Sequence, residues 1–499
     1  MKEIPFRKSH PKGLYTLFAT EMWERFSYYG MRALLVLYLT AELVNGGFGL
    51  ERQEALELYA IFTGLVYLTP ILGGWVSDKY FGQRKTVYIG GLVMAIGQFL
   101  LAASALLYQS TQTSSDHRQF LFNFGLGVLI IGNGFFKPNI STVVGEFYHN
   151  NDPMKDSAFN IFYLGINLGA ILGTFIAGGL GESVEWGYGF LAAGVGMILG
   201  VFWLKIKEKT LEHYGLPPNS PEDKTILNSK DWVTIFISMI VLIVGTYILM
   251  FLWALLPDIV KTIITYGGFA AIIIGLAYTI TKGTNGSDEW SRMAVIIVLA
   301  IFNIVFWAGF EQAGGTFSLF AKDNTDRIMF GWEMPATWFQ NVNSFAILIF
   351  ASIFSIMWIW LDKKGWNPRT PMKFALGFFL GAIAFFVMTQ AQNLADTGIK
   401  ISPWWLVSVY VLLTLGELML SPIGLSMITK LAPPKLVSVV MGLWMASFAA
   451  GNFMAGMLEG ILNKFDYPLY PFIMWVMIII GVITVLISPL LNKAMKGIH

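Results

Sequence analysis

Residues 14–44 read LYTLFATEMWERFSYYGMRALLVLYLTAELV. The stretch is long enough to cross a hydrocarbon core of about 30 Å, which takes roughly 20 helical residues. Its interior nevertheless holds Glu21, Glu24, Arg25 and Arg32. An ionised side chain at the bilayer centre costs at least about 2.5 kcal/mol, so such a helix faces other helices or an aqueous cavity rather than lipid. At 100° per residue, Glu21, Glu24, Arg25, Tyr28, Tyr29 and Arg32 fall within an arc of about 140°, a polar and aromatic stripe on one face. A self-neutralised helix end is the plain alternative, because Glu21 and Arg25 form an i, i+4 pair. That alternative leaves Arg32 unexplained, about 17 Å further along at 1.5 Å per residue. The stretch therefore predicts a bundle of membrane-spanning helices around a charged interior.

The rest of the chain agrees. Of 499 residues, 55% are hydrophobic and 13% charged, with a mean hydropathy of +0.61, whereas soluble domains carry about 25% charged residues. The absence of Cys excludes disulfide frameworks, Cys-ligated metal and thiol chemistry. A net charge of +2 carries no message about acidic partners. The opening MKEIPFRKSHPKG is polar and shows no small-residue cleavage pattern, so insertion is expected to begin with the first helix.

Apolar runs predict spans near 14–44, 54–78, 85–109, 119–148, 156–180 and 187–206, a first bundle of six. Beyond a polar linker at 207–229, with Pro217, Pro218 and Pro221, come two more near 231–256 and 260–281. Six follow near 291–320, 334–361, 372–392, 403–431, 436–463 and 467–490, giving fourteen. The expected organisation is an N-terminal bundle at 1–206, a linker with two additional helices at 207–290 and a C-terminal bundle at 291–499. Fourteen spans put both termini on one side. Outside loops then hold Arg52, Arg118, Lys261, Lys322, Arg327, Lys400 and Lys464, three cations (Arg25, Arg32 and Lys137) lie within spans, and the rest of the 33 Lys and Arg lie inside. This asymmetry obeys the positive-inside rule and predicts cytoplasmic termini.

The other charges within spans recur at corresponding places. Lys137 sits in GNGFFKPNIST on the fourth helix, followed by a proline that opens the backbone. Glu417 lies in GELMLSPIG, five residues before Pro422, and Glu311 in FWAGFEQAGGT. With the two central spans set aside, the charges fall on the first and fourth helices of each half, as a pseudo-twofold transporter with a midplane site requires. After the second helix, GGWVSDKYFGQRK, with Gly74, Asp78, Gly82, Arg84 and Lys85 at G-x(3)-D-x(3)-G-x-R-K spacing, resembles the major facilitator loop motif, and that resemblance implies that the Asp and basic residues clamp helix ends at a cytoplasmic gate. WLDKKGWNP, after the eighth span of the core, is a weak echo of it.

EMWERFSYYG resembles in full the E-x-x-E-R-F-x-Y-Y-G motif of the proton-dependent oligopeptide transporters, and FNIFYLGINLGAI their second signature. GFFKPN, FWAGFEQ and GELMLSPIGLS are similar to the family's fourth, seventh and tenth helices, so the resemblance covers essentially the whole chain. It implies the major facilitator fold, two six-helix bundles plus two central helices as in prokaryotic members, and proton-coupled uptake of di- and tripeptides across the cytoplasmic membrane, by a protein that functions as a monomer amid lipid. The short outer loop near 393–401 resembles bacterial rather than animal members.

By that resemblance Arg32 and Lys137 receive the peptide carboxylate, and Glu417 and Asn343 its ammonium. Charge complementarity points the same way, since a zwitterion needs a cation and an anion held apart. Asn167, Tyr28, Tyr29 and Tyr67 would add hydrogen bonds, and Trp307 and Trp444 apolar walls. For Tyr67 and the two Trp residues, ordinary packing or interfacial anchoring is the competing expectation.

Animal members carry a membrane His, but here the five His (His10, His117, His149, His213 and His499) fall in predicted loops or termini. Proton coupling therefore rests on Glu21, Glu24 and Glu311, with Arg25 and Lys137 as partners. The family pairs Glu311 with Arg32, and Lys137 with the Glu21, Glu24 and Arg25 cluster. Four intramembrane carboxylates against three cations leave one negative charge, which one bound proton cancels.

A membrane enzyme would need a nucleophile with its base or a metal cluster inside a span, and none is visible, nor is a channel's pore ring or carbonyl filter. No cofactor, metal or nucleic acid is expected. A major facilitator symporter of another amino-bearing or anionic solute remains the alternative reading.

Overall fold

The computed structural model describes residues 9–111, 115–149, 154–217, 229–253, 256–257, 260, 278, 280–329, 331–433 and 436–496. The helices are α1 (Lys12–Thr40), α2 (Arg52–Leu68), α3 (Pro70–Val76), α4 (Gly82–Thr111), α5 (Ser115–Glu146), α6 (Met154–Gly173), α7 (Gly179–Ser183), α8 (Trp186–Lys207) and α9 (Ser229–Trp253). They continue with α10 (Gly286–Phe310), α11 (Thr316–Asn324), α12 (Asn341–Lys363), α13 (Thr370–Ala395), α14 (Trp404–Leu431), α15 (Val437–Asn463) and α16 (Leu469–Ala494). A two-stranded antiparallel hairpin, β1 (Ile328–Met329) with β2 (Trp332–Glu333), pairs Ile328 with Glu333. Among the described residues, ten helical stretches are long and apolar enough to cross a membrane. Every expected span coincides with helix except the one near 260–281, most of which lies outside the described residues.

Two expected spans are joined differently from the sequence reading. The stretch Arg52–Leu107 runs on as helix through the expected loop, by way of a five-residue π turn, Ser77–Phe81. Gly82 ends that turn at φ 71, a left-handed conformation that a Cβ would strain. The expected loop residue Arg84 thus lies in the first turn of α4 and is buried.

Compactness divides the chain into two units, Met1–Ala55 with Leu65–Ala254, and Leu56–Gly64 with Leu255–His499. In the first unit α1 packs on α6 and α8, and α4 on α5 and α8. Gly165, Gly169 and Gly173 form a small-residue stripe on α6, facing Phe18, Met22 and Phe26 of α1 so closely that a Cβ on Gly169 or Gly173 would strike backbone carbonyl oxygen. Where lipid cannot drive helices together by hydrophobicity, this close approach supplies the packing. It presses the charged face of α1 into the unit. Pro138 lies inside the continuous helix α5, and Asn139 beside it donates from Nδ2 to Phe135 O of its own helix at 2.7 Å and to Gly73 O of α3 at 3.3 Å. Helix α9, one of the two central spans, lies on this unit, with Tyr247 edge-on to Phe120 and Met239 against the cluster of Val76, Tyr80, Phe81, Ile131 and Phe135.

In the second unit α13 packs on α14 and α16, and α10 on α15. Residues 56–64 of α2 belong here, because Gly456 of α15 sits against Leu56 and Ala60 with no room for a side chain.

Candidate functional site

In the first unit the polar stripe of α1 is buried as a linked cluster. Glu21, Glu24 and Arg25 are all nearly inaccessible. The Arg25 guanidinium pairs through Nε with Glu21 Oε1 at 2.9 Å and with Glu24 Oε2. A buried charge of this kind is tolerated only when paired and hydrogen-bonded. Lys137 of α5 is near enough to act electrostatically on both carboxylates. Its ammonium also stands 4.1 Å from the centroid of the Tyr67 ring, a cation-π contact that joins two expected substrate residues. Tyr28 and Tyr29 pack edge to face at 5.3 Å, with Arg25 over Tyr28 and Arg32 over Tyr29, each at 5.7 Å. The i, i+3 and i, i+4 spacing of α1 therefore sets two phenols between two guanidiniums along one face. Asn167 is buried on α6 and donates from Nδ2 to Tyr163 O one turn back, so part of its hydrogen-bonding capacity is used within its own helix.

In the second unit Asn343 of α12 donates from Nδ2 to Glu417 Oε2 at 3.1 Å and to Thr414 Oγ1 at 2.9 Å, uniting two expected ammonium-binding residues. Glu311 is buried in a 3-10 turn, Glu311–Gly314, that breaks the helical path between α10 and α11, and it acts electrostatically on Glu417. Gln312 fixes that turn by donating from Nε2 to Ala308 O and Ala455 O while its Oε1 accepts from Thr316. Trp307 and Trp444 meet around Phe448, at ring distances of 4.6 and 6.4 Å. Trp444 is fully enclosed, and its indole Nε1 has no hydrogen-bond partner among the described residues.

The gate motif does something the sequence reading missed. Arg84 donates from Nη2 to Glu212 O at 2.7 Å and Tyr214 O at 2.8 Å, and Glu146 Oε2 accepts from the Gly215 amide at 2.8 Å. The start of the linker is thereby held to the first unit, with Thr210 bonded to Thr16 of α1. Asp78 is exposed and accepts from Gln83 at 3.3 Å. Lys79 lies over Trp75 and Tyr80, Gly74 faces open space, and Lys85 follows Arg84 half-buried on α4.

Three further residues escaped sequence reasoning. Asn133 of α5 donates from Nδ2 to Glu24 Oε1 at 3.0 Å. Its spacing of one turn from Lys137 was the available signal. Gln98 of α4 donates to Ser27 O and Oγ at 3.2 Å, tying the same helix from another side. Arg118, expected in an outer loop, is buried in the first turns of α5 and donates to Ser104 O, Tyr38 Oη and Gly46 O. It can be buried because backbone carbonyls replace its water.

Membrane-length helices, buried ionisable groups held by partners, and in-helix prolines or a 3-10 turn beside those groups define a multi-pass membrane transport protein. A family model described as the POT family matches residues 84–474, and the chain belongs to that family. It is 36% identical to the uncharacterized transporter YclF of Bacillus subtilis, over 100% of this chain and 98% of that protein. It is 35% identical to a di-/tripeptide transporter of Lactococcus lactis subsp. lactis, over 87% of this chain and 86% of that one. Among solved structures, a POT peptide transporter in complex with sulfate is 34% identical, covers 99% of this chain and 98% of that one, and superposes with a TM-score of 0.83. The fold is the major facilitator fold of the POT transporters.

Proposed function

We propose that the protein takes up di- and tripeptides by proton-coupled symport, as the name of its lactococcal relative and its family suggest. The single observation that carries this reading is the division of charge. The first unit holds Arg32 and Lys137 beside tyrosines, and the second holds Glu417 beside Asn343. A zwitterionic peptide needs both. Arg32 and Lys137 receive its carboxylate and Glu417 with Asn343 its ammonium, while Tyr28, Tyr29, Tyr67 and Asn167 meet the backbone and Trp307 and Trp444 wall the side chains.

Glu21, Glu24 and Glu311 share the proton load, with Arg25 and Lys137 as electrostatic partners. Closely coupled groups titrate as a set, so the proton belongs to the cluster rather than to one carboxylate. A proton loaded from outside frees a cation for the peptide carboxylate, and the carrier rocks when its buried charge is balanced. The inside-negative potential favours inward movement of positive charge by about 2.3 kcal/mol per charge per 100 mV. The working unit is a monomer in the cytoplasmic membrane with both termini cytoplasmic, organised as bundles 1–206 and 291–499 around the linker and helices of 207–290. Gly74, Asp78, Gly82, Arg84 and Lys85 serve its cytoplasmic gate.

The test is uptake of labelled dialanine into liposomes holding the purified protein, with and without an inward proton gradient and negative interior. Accumulation above equilibrium that collapses with a protonophore supports symport. Dialanine that neither accumulates nor competes with other solutes overturns the peptide assignment in favour of another amino-bearing or anionic solute.

A further inference from the structure

Asn133 is 1% exposed and lies one helical turn before Lys137 on α5. Its Nδ2 donates to Glu24 Oε1 at 3.0 Å, and its Oδ1 has no hydrogen-bond partner among the described residues. An unmet buried acceptor costs about 1–3 kcal/mol, and here the open oxygen lies on the amide that already bonds an ionisable carboxylate. This amide spends its one side-chain bond on a carboxylate. The charged groups acting on Glu24 are Arg25 and Glu21 of its own helix and Lys137 of α5. The other helices packed on this stretch of α1 contribute Gly169 from α6, Gly200 from α8 and the uncharged Gln98 from α4.

We propose that Asn133 is a positioning residue for the proton that Glu24 exchanges, holding the ionised carboxylate through Nδ2 and offering Oδ1 to the carboxyl O–H once Glu24 is protonated. An amide can do both by turning about its terminal torsion, because it carries donors and an acceptor on one planar group. Neither Lys137 nor Arg25 can, as both only donate. Glu24 thus keeps a neutral partner at a fixed place through the whole cycle while its ionic partners change. The bond to the charged form is the stronger, since charge-assisted hydrogen bonds are roughly twice as strong as neutral ones. Asn133 therefore favours release of the proton more than its retention, and its removal holds the proton to higher pH.

The inference rests on the symport reading and is tested so that the two fail separately. Dialanine uptake into liposomes is measured across a series of external pH values for the unaltered protein, Asn133→Leu and Asn133→Gln. In parallel, the carboxyl stretch lost in Glu24→Gln is followed by infrared titration in the same proteins without peptide. For Asn133→Leu, both the uptake profile and the infrared transition move alkaline by about one pH unit, the scale of a single lost charge-assisted bond. Asn133→Gln, which keeps the amide, returns most of that shift. If Asn133→Leu fails to fold, Asn133→Ala is read in both assays with the same expectation. Unchanged or acid-shifted transitions overturn the inference. If the unaltered protein does not accumulate dialanine, the symport reading falls, and the infrared titration alone decides whether Asn133 tunes Glu24.

Discussion

The ammonium of Lys137 lies 4.1 Å from the centroid of the Tyr67 ring, so α5, which carries Pro138 within it, is joined to the end of α2 through a cation on an aromatic face. Such a contact is worth about 2 kcal/mol where water is excluded. Tyr67→Phe keeps the ring and loses only the hydroxyl proposed to meet the peptide backbone, so it is expected to raise the KM for dialanine by about threefold, whereas Tyr67→Leu loses the ring as well and raises it by about tenfold or more. Equal losses in the two variants would show that the phenol hydroxyl, not the ring, is what matters. Initial-rate uptake at saturating gradient makes the comparison.

Arg25 is the shared partner of two buried carboxylates. Its replacement by Gln leaves Glu21 and Glu24 facing each other without their cation, a loss of about 3–5 kcal/mol when one member of a buried pair is removed. Arg25→Gln is expected to unfold at markedly lower temperature in detergent. Glu21→Gln and Glu24→Gln added to it restore much of the stability and leave gradient-driven accumulation abolished. A stable single variant would argue that Lys137 alone balances the cluster.

Neutralising Lys137 or Glu24 alone separates coupling from passage. Lys137→Ala and Glu24→Gln are each expected to lose gradient-driven accumulation of dialanine, while exchange of dialanine across the membrane persists at a reduced rate. Accumulation equal to that of the unaltered protein would remove both residues from the coupling scheme.

Asn343 orients Glu417 and bonds Thr414 with the same amide nitrogen. A hydrogen bond to a charged group contributes about 1.5–3 kcal/mol, so Asn343→Leu should raise the KM for dialanine by at least about tenfold. Glu417→Gln should also erase the preference for dialanine over its N-acetylated form, measured by competition. A preference that survives both substitutions would place the ammonium elsewhere.

Arg84 holds two linker carbonyls. Arg84→Met keeps the apolar stem and loses both bonds, so the segment Glu212–Pro217 should become open to limited proteolysis. A small loss of thermal stability, about 1–3 kcal/mol, should accompany it. Cleavage no faster than in the unaltered protein would show that Glu146 and Thr210 suffice to hold the linker.

The charged stripe of α1, the proline after Lys137 and the spacing of the apolar runs were legible because each is local. Periodicity fixes which residues share a helix face, and lipid makes an isolated intramembrane charge intolerable without a partner. The family resemblance gave Asn343 and Glu417 a common role toward an ammonium and paired Lys137 with the Glu21, Glu24 and Arg25 cluster, but the direct hydrogen bond from Asn343 to Glu417 was not foreseen. Nor were the roles of Asn133, Gln98 and Arg118, since an amide or a guanidinium has no fixed value in a sequence until its neighbour from another helix is known. Arg84 was expected at a gate, but its partners are carbonyls of Glu212 and Tyr214, far along the chain, which spacing cannot reveal.

The sequence by itself determined that this chain crosses the membrane many times, that its charges lie on particular helices and which family motif they form. Only the tertiary structure decided which amide holds which carboxylate, that α6 reaches α1 through a glycine stripe and that the linker is held by Arg84. Helix formation and insertion follow from composition and short-range periodicity, whereas a hydrogen bond between helices depends on angstrom-scale distances set by packing across the whole unit.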